Sequence, residues 1–274
     1  MSKRQKFVIA TLILTLGIVL IRYPMFQWRY RVLVYLVIDW ALSLWALHDR
    51  DFGGVEWVTL LILPTMFSLG GALVFPLLPR SFDSFLIWNI SPDSGLLLGL
   101  GIRMAFLLLF AVGYYAVLLT RNIYNVAAIR TIQLLRAAHS VGFMMVLLTA
   151  LSLFLVTASF HLSSFWNFCF IFIISLPLAL SALWSINLEE GINRQLRLMT
   201  VFMALAVAEV GWIMSFWPVS VSLYALVLTT VFYTLVGMGQ YYLSERLFGN
   251  TSREFVAVLV IIFILMIFTT SWSG

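Results

Sequence analysis

Cysteine occurs once, at Cys169, and lysine only at Lys3 and Lys6. A lone cysteine excludes an internal disulfide and any CxxC redox or metal motif, and leaves Cys169 the role of a small packing residue. Both lysines precede the first apolar run, which excludes a Schiff base inside a helical bundle. Histidine is confined to His48, His139 and His161, too scattered to form a metal cluster. Charged residues make up only 10% of the chain, against about 25% in a soluble domain. That deficit excludes a soluble globular protein and a disordered chain. No P-loop, GxSxG elbow or HExxH motif is present, so the sequence offers no catalytic set, no metal site and no cofactor site.

Apolar residues fill the space: 63% of the 274 residues are hydrophobic, with 23 Phe, 10 Trp and 10 Tyr, and the mean hydropathy is +1.06. A membrane-spanning helix needs about 20 mostly apolar residues. Long apolar runs bounded by charge or proline fall near 6–22, 32–48, 55–78, 98–120, 141–160, 164–186, 198–217, 220–243 and 255–272. The runs are continuous, without the alternation of an outer-membrane barrel. The expected fold is therefore all-α, one polytopic integral membrane bundle of about nine transmembrane helices. Eight is the alternative if the first run does not fully span. Lys3, Arg4 and Lys6 before that run imitate a secretory signal, but it stops at Arg22-Tyr23-Pro24 without small residues for cleavage, and so reads as an uncleaved anchor.

The 16 basic residues then orient the chain. A pI of 9.6 belongs to this membrane bias and not to nucleic-acid binding. With a cytoplasmic N-terminus, Lys3, Arg4, Lys6, Arg50, Arg121, Arg130, Arg136, Arg194, Arg197, Arg246 and Arg253 lie inside. Arg22, Arg29, Arg31, Arg80 and Arg103 lie outside, the first three in a turn rich in interfacial aromatics. The expectation is a plasma (inner) membrane protein with its C-terminus outside. Residues 80–97 read as an outer interfacial segment. Residues 121–140 read either as a surface-lying amphipathic helix or as an extension of the flanking spans.

Ionisable residues within spans are the candidate functional groups, because a charge in hydrocarbon is costly and normally faces the bundle interior with a partner. Asp39 sits mid-way along the second run, Glu209 past the middle of the seventh, and Arg103 in the outer third of the fourth. Two arrangements follow. In one, Asp39 pairs with Arg103. In the other, Arg103 snorkels to headgroups and Asp39 rests against Ser43 or Tyr35. Ala204, Ala208 and Gly211 form a small-residue stripe expected to hold Glu209 at a tight helix contact, away from lipid. Gly95 and Gly99 form a GxxxG pair whose default use is helix packing. Weaker candidates are the polar loop His48, Asp49, Asp51 and Glu56, and Pro64, which interrupts the third run as helices bordering transporter sites do.

Three functions remain. The first is a small transporter or carrier using Asp39, Glu209 and Arg103. The second is a structural or assembly subunit, with a helix–helix partner or a second copy of itself. The third is a membrane-embedded lipid-modifying enzyme using the His48–Glu56 loop. The bilayer is the expected partner, and nucleic acid is not. Few interior polar groups argue against a strongly hydrophilic cargo.

Overall fold

The computed structural model describes residues 2–21, 28–48, 56–81, 84–85, 88–89, 92–129, 133–188, 191–246 and 248–270. In hydrocarbon each backbone N–H and C=O must be satisfied within its own segment, which makes long apolar runs helical. The helices are α1 (Lys3–Ile21), α2 (Trp28–Leu47), α3 (Glu56–Val74), α4 (Pro92–Ile129), α5 (Leu135–Ser159), α6 (Ser164–Asn187), α7 (Arg194–Met214), α8 (Val221–Leu243) and α9 (Gly249–Thr269). Among the described residues these nine are long and apolar enough to cross a membrane. A 3₁₀ turn, Phe75–Leu77, closes α3, and two-residue strands β1 (Ser84–Phe85) and β2 (Trp88–Asn89) pair antiparallel before α4.

α4 decides between the two readings of residues 121–140. It spans 38 residues, about 57 Å at 1.5 Å per residue, where a run over 98–120 was expected. It begins at Pro92 followed by Asp93, a favourable pairing for a helix N-terminus. At its other end no Gly or Pro interrupts residues 121–129, and Arg121, Tyr124 and Asn125 are buried there. Residues 121–129 are thus an extension of α4 and not a separate surface helix.

The packing has two main bodies that share α3 and α4. Phe7, Leu14, Tyr35, Leu47, Leu61, Phe110, Tyr114 and Leu118 form one core among α1–α4. Leu63, Val117, Phe154, Leu178, Val207, Leu228 and Phe232 belong to the other, built from α3–α8. A smaller cluster of Leu60, Tyr124, Ala138 and Trp184 joins α3–α6 at the end of the bundle where α1 begins. α9 lies at the periphery, packed on α8. Outward-facing positions such as Leu16, Val37, Leu109, Phe202 and Phe268 are large and apolar, as a lipid-facing surface requires.

Small residues set the closest approaches. A Cβ on Gly211 would strike Ile171 of α6 and approach Tyr224 of α8, so the Ala204–Ala208–Gly211 stripe is where α7 seats against both neighbours. Gly99 answers a different need. A Cβ there would collide with the Arg80 carbonyl, so this half of the GxxxG pair receives the backbone of residues 80–81 and not another helix.

Candidate functional site

Asp39 is wholly buried on α2, in the core shared by α1–α4. Tyr35, Asp39 and Ser43 follow one another at four-residue spacing and so line one face of that helix. The Tyr114 hydroxyl of α4 donates to Asp39 Oδ1 at 2.8 Å and lies 2.7 Å from the Ser43 hydroxyl. Thr65 and Ser68 of α3 and the Tyr35 ring complete the surroundings of the carboxyl. Asp39 Oδ2 has no hydrogen-bond partner among the described residues.

The Tyr114 ring is held by aromatic packing. Phe67 stacks on Phe110 with centroids 5.4 Å apart, and Phe110 stacks on Tyr114 at 5.9 Å. Gly17 of α1 accommodates the Tyr35 ring, which a Cβ there would approach to 3.0 Å. Pro64 lies within α3 immediately before Thr65. Proline lacks the N–H that would bond the carbonyl four residues earlier, so α3 lacks one backbone hydrogen bond there, yet it runs through Pro64 as one continuous helix.

Arg103 does not join this group. Its Nη2 donates to the carbonyl of Leu78, the residue after the 3₁₀ turn that closes α3, at 3.1 Å. Register explains the separation: Arg103 precedes Tyr114 by eleven positions on α4, about 16 Å along the axis. The Asp39–Arg103 pairing is therefore replaced by an Asp39–Tyr114 pairing, with Ser43 and Tyr35 alongside.

Glu209 also departs from expectation. It is exposed on the outer surface of α7, while Ala204, Ala208 and Gly211 are buried. At 100° per residue Glu209 projects about 130° away from the centre of that stripe. The stripe is a helix contact, but Glu209 is on the opposite side. His48 is exposed just after α2, its N–H bonded to the Leu44 carbonyl at 2.8 Å. Asp49 and Asp51 lie outside the described residues, as does the Glu56 side chain, so the loop assigned to the enzyme reading has no described geometry. Arg22, Arg50, Arg130, Glu189 and Glu190 lie outside them too.

Two functional candidates escaped the sequence reading. Tyr114 carried no charge to mark it, although a tyrosine hydroxyl in the middle of a span needs a partner. Arg121 was read only as an inner-side basic residue that orients the chain, yet it is 1% exposed. Its Nη2 donates to Ser181 Oγ of α6, and its guanidinium carbon lies 5.5 Å from the Tyr124 ring centroid. Its mark in the sequence was the uninterrupted helical run beyond 120.

A family model described as "Protein of unknown function (DUF5656)" matches residues 13–269, and the chain belongs to that family. No curated protein and no solved structure matches it.

Proposed function

We propose that this multi-pass membrane protein is a small carrier whose working group is the Asp39 carboxyl, which takes up and gives up a proton as cargo passes through the bundle. One observation carries the reading: among the described residues Asp39 is the only buried acid, and one of its oxygens is left without a partner. An intramembrane acid is costly to insert, by about 2.5–3.5 kcal/mol at a helix centre, and a group maintained at that cost is by default a functional candidate. Pro64, immediately before Thr65, removes one backbone hydrogen bond from α3. The apolar walls suit a small, weakly polar cargo.

Proteoliposomes with an entrapped pH-sensitive dye test this. Wild-type protein is expected to relax an imposed proton gradient faster than empty liposomes. Asp39→Asn, eluting and melting as a folded protein, is expected to match empty liposomes. A wild-type rate equal to that of empty liposomes, or an Asp39→Asn rate equal to wild type, counts against the proposal.

A second reading, an assembly subunit, is favoured by Glu209, a carboxylate placed on the outer face of a spanning helix where lipid offers it no partner. A second copy or another membrane protein with a cation at that depth would satisfy it. The particle mass in nanodiscs, for wild type and Glu209→Leu, tests self-association.

A further inference from the structure

We infer that Arg121 is the fixed cation of a phosphate-binding site between α4 and α6, at the end of the bundle where α1 begins, taking the phosphate group of a lipid headgroup or of a soluble phosphate. This site is separate from Asp39. An arginine side chain has five N–H donors and does not discard its charge. Nη2 is used by Ser181, whereas Nε and Nη1, with three of those donors, have no hydrogen-bond partner among the described residues although they are buried. A buried cation without a counter-charge is strongly unfavourable.

The described acidic side chains offer no such counter-charge. Asp39 is committed to Tyr114, two helical turns from Arg121 on α4, and Asp93, Glu209, Glu245 and Glu254 are exposed. The groups that do surround the guanidinium are neutral or able to donate. The Tyr124 ring covers it and is itself packed 5.6 Å from the His139 ring, whose Nε2 lies 2.8 Å from the Ser185 carbonyl. The Ser181 hydroxyl accepts from Nη2 and so keeps its own proton to donate. A planar guanidinium beside a hydroxyl matches a tetrahedral oxyanion with several acceptor oxygens better than it matches a halide.

The position fits the same ligand. Asn122, the next residue, accepts from Lys3 Nζ at 3.2 Å, so Arg121 sits level with the charged start of α1. Lys3, Arg4 and Lys6 cluster there, where a bilayer presents its phosphates and where basic pockets between helices bind anionic headgroups.

The test is thermal unfolding of the full chain in a phosphate-free maltoside detergent, at fixed ionic strength set with chloride. Inorganic phosphate is titrated in one arm and phosphatidylglycerol in the other. Wild type is expected to gain about 5 °C at a hundredfold excess over Kd. A rise in both arms assigns a site open to soluble phosphate, and a rise with lipid only assigns a headgroup site. Arg121→Gln is expected to melt no lower than wild type before ligand is added, and to lose the rise. No rise for wild type in either arm, or an equal rise in Arg121→Gln, overturns the proposal. Should Arg121→Gln fail to fold, Arg121→Lys keeps the charge without the fork. Native mass spectrometry is then expected to show it retaining phosphatidylglycerol roughly tenfold more weakly than wild type, the loss of about one charge-assisted bond. Equal retention overturns the proposal as well.

Discussion

Tyr114 and Asp39, 75 positions apart in the chain, meet through a 2.8 Å hydrogen bond in the buried space between α2 and α4. The bond joins the only buried acid among the described residues to a tyrosine whose ring is fixed by Phe110 and Phe67. It also ties in Ser43, which lies 2.7 Å from the same hydroxyl. Removing the hydroxyl leaves both Asp39 oxygens short of donors. Tyr114→Phe is therefore expected to lower stability by about 1–3 kcal/mol. In a double-mutant cycle with Asp39→Asn the two effects should be non-additive by at least about 0.5 kcal/mol, as for residues in one network. Unfolding in a graded detergent series checks this, and additive effects would mean the bond contributes nothing.

Arg103 and Asp39 give the opposite expectation. Arg103 bonds the Leu78 carbonyl and shares no partner with Asp39. Arg103→Leu and Asp39→Asn should therefore add to within about 0.3–0.5 kcal/mol, as distant sites do. A coupling well above that range, measured in the same series, would place the two side chains together.

Gly211 tests the seat of α7. A side chain there must displace Ile171 and crowd Tyr224. Overpacking of this kind typically costs about 1–3 kcal/mol. Gly211→Val is expected to fall in that range, and a melting temperature within error of wild type would show that α6 and α7 separate freely.

Glu209 should behave as a surface residue of the single chain. It has no partner among the described residues and projects away from the α6–α8 contacts. Glu209→Gln is expected to change the stability of the monomer by no more than about 0.5 kcal/mol. A larger loss confined to concentrated samples, read by light scattering, would tie the residue to association.

Orientation can be read at two turns. If the positive-inside rule holds for this chain, a reporter inserted in the α5–α6 turn at residues 160–163 should be accessible from outside. One in the α8–α9 turn near residue 246 should be protected until the membrane is permeabilised. Labelling of both turns from the same side would remove one crossing between them.

The class of the molecule was settled by composition and run length. An apolar stretch of about 20 residues has one low-energy solution in lipid, a helix that satisfies its own backbone, and this holds whatever the neighbouring helices do. The four-residue spacing of Tyr35, Asp39 and Ser43 was open to the same kind of reading, since helix geometry is local. So was the outward direction of Glu209: its angle from Ala204, Ala208 and Gly211 follows from 100° per residue alone. What the sequence by itself did not determine is which side chains meet. Whether Asp39 finds Arg103 or Tyr114 depends on the relative height and rotation of α2 and α4, which many weak packing contacts set together. The place of Arg121, at the membrane surface or inside the bundle, was left open for a similar reason: α4 continues past residue 120 because α5 and α6 offer it a surface to cover. Local periodicity makes the helices and their faces, while only the packed bundle decides which polar groups are joined and which are left in need of a ligand.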